Sequence, residues 1–195
     1  MTESGESISD SPTDEAQLVA RIAARDELAF RAAIEGHAPL LHRIAYRMMG
    51  DAHEAEDIAQ EAMLRLWDHA PRLDERSGTA GVKLAPWLKR VTVNLAIDRL
   101  RIVKRNSDAE APDRADCSPL ADEQIEVNEE GAQARALIAA LPDRQRAAIV
   151  LTYYEELPNA EAADVLDMNI KAFESLLHRA RAALRKAFDA QGDEA

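Results

Sequence analysis

The feature that most restricts the fold of this chain is a pair of helical segments near its end with almost no room between them. Residues 158–166 and 170–188 both follow the spacing of three and four that marks a helix with one apolar side. About three residues separate the segments, so the chain must turn sharply between them. The apolar positions of the second segment are Phe173, Leu177, Ala180, Leu184 and Phe188. Such a pair is typical of helix-turn-helix modules, whose second helix enters the DNA major groove.

The second segment also carries a stripe of polar and basic side chains on a separate face. The stripe consists of Lys171, Ser175, His178, Arg181 and Arg185, with Arg179 and Lys186 beside it. Hydroxyl, imidazole and cationic groups reach base edges and phosphates. Asn169 stands where an Asn side chain can cap the helix. The alternative is a solvated face with basic residues favoured near a helix C-terminus; the tight turn favours DNA binding.

Helical periodicity accounts for the rest of the chain as well. Only 4% of the residues are aromatic, while Ala and Leu are abundant, which favours helices over strands. The pattern covers residues 15–49, where Gly50 suits a helix C-terminus, and residues 51–70, where Asp51 followed by Glu54 resembles a capping box. Further helices are expected over residues 86–105, 128–140 and 142–155, with a loop over residues 71–85. The sequence therefore predicts an all-α protein.

The net charge of −12 is concentrated in segments that look unfolded. Residues 1–14 are polar and acidic and are expected to be disordered. Residues 106–127 are acidic and contain two prolines, which predicts a flexible linker between two domains. Residues 189–195 form a short acidic tail. The folded domains are then residues 15–105 and 128–188, and they are mildly basic.

Two further segments carry candidate functional residues. Residues 87–105 contain six basic residues and one acidic residue, and they begin with Trp87 beside a Gly-containing loop. An aromatic ring with basic groups suits single-stranded or melting DNA, although an ordinary amphipathic helix explains this segment alone more simply. Glu54, Asp57 and Glu61 share one helical face, which is either solvated or a docking face for a basic partner. A metal site there is disfavoured because no Glu-x-x-His helix accompanies it.

Other classes of protein are disfavoured by what the sequence contains. Cys117 is the only cysteine, so neither an internal disulfide nor a cysteine-based metal site is expected. The apolar runs are too short for a membrane span, and the N-terminus is unlike a secretory signal, so a cytoplasmic protein is expected. No nucleophile–base pair or Gly-rich phosphate loop is visible, so the sequence predicts no enzyme and no cofactor.

Three helical segments, in their order along the chain, resemble those of the bacterial RNA polymerase sigma factors of the extracytoplasmic-function (ECF, group IV) branch of the sigma-70 family. The stretch AEDIAQEAMLRLW (55–67) is similar to the family's core-polymerase-binding helix. The stretch WLKRVTVNLAIDRLR (87–101) is similar to its promoter-melting and −10-reading helix, and residues 136–185 are similar to its −35-reading domain. The resemblance spans about residues 15–188. It implies a region 2-like helical bundle and a region 4-like helix-turn-helix domain.

The resemblance also implies a role for each part. The residues facing the polymerase clamp would be Asp57, Gln60 and Glu61, supported by Leu64 and Trp67. The residues at the −10 element would be Trp87, Arg90, Asn94, Arg99 and Arg101, with the loop 71–85 capturing a flipped base. The residues at the −35 element would be Asn169, Lys171, Ser175, His178 and Arg179. The acidic linker would thread towards the active-site and RNA-exit channels.

A sigma factor of this kind would bind the β and β′ subunits of core RNA polymerase and direct initiation at its promoters. The resemblance also suggests an anti-sigma factor as a partner, and no direct membrane insertion. Two other functions stay open. A stand-alone helix-turn-helix regulator would bind its operator without polymerase. A sigma-like decoy would bind an anti-sigma factor and would be expected to lose the basic stripes, which this chain keeps.

The chain departs from the family pattern in the reading helix and in the turn before it. Asp167 stands where Gly is usual, and because Asp tolerates a left-handed backbone we expect the turn to be kept. Glu174 and Leu176 stand where basic residues are common. A carboxylate at position 174 would repel phosphate but could accept a hydrogen bond from cytosine. The −35 sequence is therefore expected to be unusual.

Overall fold

The computed structural model describes residues 12–77, 83–107 and 129–192, and no strand occurs within them. The N-terminal domain contains α1 (Pro12–Ala23), α2 (Glu27–Met49), α3 (Ala52–Ser77) and α4 (Leu84–Ser107). The C-terminal domain contains α5 (Glu129–Ala139), α6 (Asp143–Ile149), α7 (Asn159–Val165) and α8 (Ile170–Gly192), with a π turn (Val150–Tyr154) directly after α6. The predicted fold class, all-α with two small helical domains, is confirmed. Residues 1–11 and most of the predicted linker lie outside the described residues.

The N-terminal domain is a bundle in which α3 packs against α1, α2 and α4. Each helix repeats its apolar residues every three or four positions and so presents one face inward. The fully buried side chains include Ile22 of α1, Leu41 and Ile44 of α2, Ile58 and Leu66 of α3, and Leu88 of α4. Burying such a side chain contributes about 1.5–3 kcal/mol. This packing fixes α3 and α4 and leaves part of each helix outside the N-terminal core.

Side-chain caps set the ends of these helices. The Oδ1 atom of Asp26 accepts hydrogen bonds from the backbone N–H groups of Leu28 and Ala29, at 2.9 and 3.1 Å, and begins α2. The Ala29 hydrogen bond and the Arg21 guanidinium hold the pKa of Asp26 below its ordinary value. Gly50 ends α2 with a φ of 73°, as predicted. Each cap supplies a partner for a helix-end group that the helix itself leaves unpaired.

The structure corrects the predicted loop over residues 71–85. Helix α3 continues through Pro71 to Ser77, and α4 already begins at Leu84. Pro71 has no N–H group to donate to the carbonyl of Trp67, one turn earlier. The Nη1 atom of Arg25 donates to that carbonyl instead, at 2.9 Å. The helix therefore continues past the proline because a side chain from another part of the chain supplies the missing donor.

Several helix ends also extend beyond the predicted domain boundaries. Helix α1 begins at Pro12 rather than at residue 15, because proline suits the first helical position and Asp14 and Glu15 complement the helix dipole there. Helix α4 reaches Ser107 and helix α8 reaches Gly192, beyond the predicted ends at residues 105 and 188.

The C-terminal domain contains the four helices that the sequence predicts. The predicted helix 142–155 is α6 followed by the π turn, and α6 packs against α8 over the buried Leu151, Phe173 and Leu177. Phe188 was predicted on the apolar side but is 62% exposed. Between α7 and α8, Asp167 has a φ of 53°, which confirms the expected left-handed turn. This turn directs α8 across the domain surface.

The two domains touch each other. Helix α4 packs against α6 and α7, and α2 contacts the π turn. The sequence left the relative orientation of the domains open, and the structure shows a closed arrangement.

Candidate nucleic-acid interface and docking face

Helix α8 presents its predicted DNA-facing residues to solvent. Asn169 caps the helix, since its Oδ1 atom accepts a hydrogen bond from the Ala172 N–H at 2.9 Å, as predicted. The polar side chains exposed on the first three turns are Lys171, Glu174, Ser175, His178 and Arg179. Phe173, Leu176 and Leu177 are buried on the opposite side. Leu176 is therefore a core residue, and Glu174 belongs to the outward face.

Hydrogen bonds divide the exposed residues of α8 into two groups. The Ser175 hydroxyl donates to the Lys171 carbonyl at 2.9 Å, and the Arg179 Nε donates to the Ser175 carbonyl at 3.3 Å. The side chains of Lys171, Glu174 and His178 form no hydrogen bond or ion pair with the residues that the structure describes. These three side chains are free to meet a ligand without losing an internal partner.

Helix α4 carries the second predicted DNA surface. Asn94 is exposed, and Arg101 is also exposed with a weak contact to Asp98 at 3.4 Å. Arg99 instead forms an ion pair with Glu54 of α3 at 3.2 Å, so its guanidinium links the two helices. Arg90 forms an ion pair with Asp167, in the turn before α8, at 2.8 Å. The predicted −10 residues therefore lie on one helix, but two of their four polar side chains form ion pairs with residues outside that helix.

Trp87 lies at the start of α4 and is only partly buried. Its ring centre is 6.2 Å from that of His69 on α3. A cleft of about 210 Å³ is lined by His69, Arg72, Leu73 and Trp87. An aromatic ring beside an arginine can stack a nucleobase. The central residues of the predicted base-capturing loop, 78–82, lie outside the described residues.

Helix α3 displays the predicted docking face. Asp57, Gln60 and Leu64 are exposed, and the Leu64 side chain is 60% exposed although it is apolar. Glu61 forms an ion pair with Arg65 at 2.7 Å, and Gln60 donates to Glu56 at 3.1 Å. An exposed leucine between carboxylates fits a partner that is apolar and basic.

Trp67 supports the docking face rather than forming part of it. Its ring packs against Phe30 of α2, with ring centres 4.9 Å apart, and the Arg25 guanidinium lies 4.9 Å from the ring centre. The tryptophan is partly buried. These contacts hold the end of the face against α2.

The docking face continues into a groove that the sequence did not predict. A cavity of about 630 Å³ lies between α2 and α3, and its walls include Phe30, Ile34, Pro39, Met63 and Leu64. Ile34 and Pro39 belong to α2, for which the sequence predicted a helix but no functional surface. Ile34 is 37% exposed, and the helical period alone does not reveal that exposure.

Other kinds of site are not seen among the described residues. No group of three or more His, Cys, Asp or Glu side chains there could hold a metal ion. None of the helices in those ranges is both long and apolar enough to cross a membrane.

Comparison with known proteins gives two family matches and several relatives. Sigma-70 region 2 matches residues 33–106, and Sigma-70, region 4 matches residues 132–184. The ECF RNA polymerase sigma factor SigW of Bacillus subtilis is 32% identical over 172 residues, covering 83% of this chain and 89% of SigW. The ECF RNA polymerase sigma factor SigL of Mycobacterium tuberculosis is 33% identical over 171 residues, covering 86% of this chain and 93% of SigL.

Solved structures show the same fold. CnrH, in complex with the cytosolic domain of CnrY, gives a TM-score of 0.64 at 24% identity and covers 90% of this chain and 97% of its own. The sigma factor RpoE of Bartonella quintana, in complex with the anti-sigma factor NepR, gives a TM-score of 0.62 at 21% identity. The match covers 82% of this chain and 96% of RpoE. With both regions matched and relatives more than 30% identical along most of its length, this chain belongs to the ECF branch of the sigma-70 family.

Proposed function

We propose that this chain binds core RNA polymerase and directs it to specific promoters as an alternative sigma factor. One observation supports the proposal: α3 exposes an acidic face with an apolar leucine, while α4 and α8 each expose polar and basic side chains. A stand-alone regulator would need only α8, and a decoy would need neither DNA surface. Both folded domains then have a role: residues 15–105 act as region 2, and residues 128–188 act as region 4.

Helix α8 is the proposed reader of the −35 element. Its capped N-terminus points outward with Lys171, Ser175 and His178 on one face. A helix presented in this way fits the major groove, where side-chain donors meet base edges and phosphates. Asn169 and Arg179 would lie at the phosphates that flank these bases.

Helix α4 is the proposed reader of the −10 element. Asn94 and Arg101 are exposed along it, and Trp87 stands beside the cleft that faces His69. Melted DNA offers unpaired bases for stacking and phosphates for the basic groups. The loop around residues 78–82 would capture one flipped base, and the acidic linker would pass through basic channels of the polymerase. Neutralising the acids of that linker without effect on initiation would count against the second assignment.

The proposed partners are the β and β′ subunits of the polymerase, promoter DNA and an anti-sigma factor. The solved structure of RpoE holds an anti-sigma factor, and the groove between α2 and α3 offers an apolar surface for such a protein. An anti-sigma factor seated there would compete directly with the polymerase.

The proposal is tested by gel filtration of the chain with core RNA polymerase at moderate salt. The wild-type chain should co-elute with the polymerase. The double substitution Asp57→Arg with Glu61→Arg should weaken binding by roughly 100-fold or more, because like charges set against each other at an interface cost several kcal/mol.

The matched control is Asp74→Arg with Glu75→Arg. It makes the same charge change on exposed residues of the same helix, roughly 25 Å farther along at 1.5 Å per residue. It should co-elute like the wild type. If both double variants bind equally well, the docking face is on another helix. If the folded wild-type chain does not co-elute at all, a stand-alone regulator or a decoy is favoured.

A further inference from the structure

Glu155 is an acidic residue buried at the junction of the two domains. Its side chain is only 3% exposed. Its carboxylate accepts hydrogen bonds from the Arg47 Nη1 at 2.8 Å and from the Arg43 Nη2 at 3.1 Å, both on α2. The Arg47 guanidinium also lies 4.5 Å from the centre of the Tyr154 ring. A charge is tolerated at such a depth only when it is paired, and both partners of Glu155 come from the other domain.

The π turn places Glu155 in this position. The Glu155 N–H donates to the carbonyl of Val150, five residues earlier, at 3.1 Å, which widens the last turn of the helix. The next residue, Glu156, has a φ of 50°, a left-handed conformation that is costly without glycine. The chain thus breaks away directly after the acid. Glu156 itself is exposed and has no ion-pair partner among the described residues.

Three further contacts tie the domains together. The buried Arg146 of α6 donates to the carbonyl of Met48, near the end of α2, at 2.6 Å. Arg90 of α4 pairs with Asp167 at 2.8 Å, and Lys104 of α4 pairs with Asp143 of α6. All four contacts join α2 or α4 to the C-terminal domain. We call Glu155, Arg43 and Arg47 the latch, because only this contact buries a carboxylate.

The closed arrangement is incompatible with reading a promoter. The −10 and −35 elements are separated by about 25 base pairs, or roughly 85 Å at 3.4 Å per base pair. A compact chain of this length has a radius of gyration of only about 16 Å. In addition, Arg90 is held by Asp167 and one side of α4 is covered by α6 and α7. The domains must separate before α4 and α8 can reach their two elements.

We infer that the latch holds the free chain in a self-inhibited state, and that its release is the step that admits the chain to the polymerase and the promoter. The claim that the latch inhibits the chain rests on the proposed function. The latch is suited to this role because the largely buried Glu155–Arg47 ion pair fixes one geometry yet loses its advantage once water enters, and the Arg43 side chain, 46% exposed, leaves water a way in. Docking of the polymerase on α3 would then select the open form.

The first measurement is small-angle X-ray scattering of the free chain. Glu155→Gln removes the charge with little change of shape and leaves two unpaired arginines. Loss of one partner of a buried ion pair corresponds to roughly 100-fold or more in an equilibrium constant. We expect the radius of gyration to rise by roughly a third or more as the domains separate. The matched control is Glu156→Gln, the exposed neighbour, which should scatter like the wild type.

Two further variants separate opening from unfolding. Arg43→Gln with Arg47→Gln breaks the latch from the N-terminal domain and should expand the chain equally. Arg43→Glu with Arg47→Glu and Glu155→Arg reverses all three charges and should restore compactness. The helical circular dichroism of all variants should equal that of the wild type. Expansion accompanied by loss of helix would overturn the latch, because Glu155 would then support the domain fold instead.

The second measurement is affinity for core RNA polymerase, where the opened variants should bind at least about 10-fold more tightly because the cost of opening is removed. Unchanged scattering of Glu155→Gln would overturn the latch while wild-type binding to the polymerase stands. Expansion without tighter binding would overturn the self-inhibition. If neither the wild type nor any variant binds polymerase, the proposed function fails and the inhibitory role fails with it.

Discussion

Asp167 illustrates how much a single residue can reveal from the sequence. It stands where the family usually has Gly, and the expected left-handed backbone is confirmed by its φ of 53°. The carboxylate of the same residue pairs with Arg90, 77 positions earlier in the sequence, and nothing in the local pattern indicated that contact. Backbone conformation follows from local chemistry, whereas a long-range partner depends on how the helices pack.

The predicted site residues show the same division. Lys171 and His178 are exposed on α8 and Asp57 is exposed on α3, because the helical period alone places them on outer faces. Arg99 was predicted at the −10 element, yet its guanidinium contacts Glu54 at 3.2 Å. The period fixes the side of a helix, but it does not say which neighbouring helix carries a charge within reach.

Glu174 is the exposed residue of α8 whose side chain could select a single base of the −35 element. It is exposed between Lys171 and His178 and has no partner among the described residues. A carboxylate can accept a hydrogen bond from the N4 amino group of cytosine, whereas a glutamine pairs with adenine. Glu174→Gln should therefore change the preferred base at one −35 position from cytosine to adenine, with a discrimination of about 1–3 kcal/mol.

The measurement is transcription by the polymerase holoenzyme from a promoter library randomised over the −35 element, followed by sequencing of the transcribed templates. Glu161→Gln makes the same substitution at an exposed position of α7 and should leave the preference unchanged. An identical preferred sequence for the wild type and Glu174→Gln would show that this side chain reads no base.

At the scale of elements, helix existence was easier to predict than helix length. Eight helices and a π turn occupy the described residues, close to the predicted pattern. The sequence placed the end of α3 before Pro71 because a proline normally ends a helix. The structure continues α3 to Ser77 because Arg25 donates to the Trp67 carbonyl at 2.9 Å. Arg25 lies 42 residues from Trp67, so no local rule could have found it.

A double-mutant cycle tests this explanation of α3. Arg25→Ala should destabilise the wild-type chain by about 1 kcal/mol, the usual net contribution of one hydrogen bond. In a Pro71→Ala background the helix regains its own donor for the Trp67 carbonyl, so Arg25→Ala should cost less. The expected coupling energy is about 1 kcal/mol. Changes in the cation–π contact and in the backbone at position 25 are common to both backgrounds and cancel.

The coupling is measured from the free energy of unfolding in urea for the wild type, the two single variants and the double variant. Pro39→Ala in α2 provides the control, since it also removes a proline from a helix interior and should show no coupling to Arg25→Ala. Additive effects of Arg25→Ala and Pro71→Ala would mean that the helix passes the proline for another reason.

At the scale of the whole molecule, the sequence predicted two helical domains but not how they meet. The contacts that join them, Arg43 and Arg47 with Glu155 and Arg146 with Met48, connect residues about 100 positions apart. Each of these arginines looks like an ordinary surface charge in its own helix. Their partners lie in the other domain, which is why composition and periodicity could not reveal the closed arrangement.

Arg146 joins the two domains most directly. It is 5% exposed, and burial lowers the pKa of its guanidinium from the ordinary value. It donates to the Met48 carbonyl at 2.6 Å and to the carbonyl of Ala139. It therefore supplies a hydrogen-bond donor to a backbone carbonyl at the C-terminal end of both α2 and α5. A cation at the C-terminal ends of two helices also opposes the partial negative charge of both dipoles.

Arg146→Met should therefore weaken both domains although the substitution lies in only one. The carbonyls of Met48, which is fully buried, and of Ala139, which is exposed, would lose their donor, and this costs about 1–3 kcal/mol, mostly at Met48. Amide hydrogen exchange should accelerate at residues 45–49 and at residues 136–140 together. Arg146→Lys keeps the charge but reaches one carbonyl at a time, and should give a smaller effect at the same two places. Faster exchange confined to the C-terminal domain would show that Arg146 stabilises its own domain and that the closed arrangement does not depend on it.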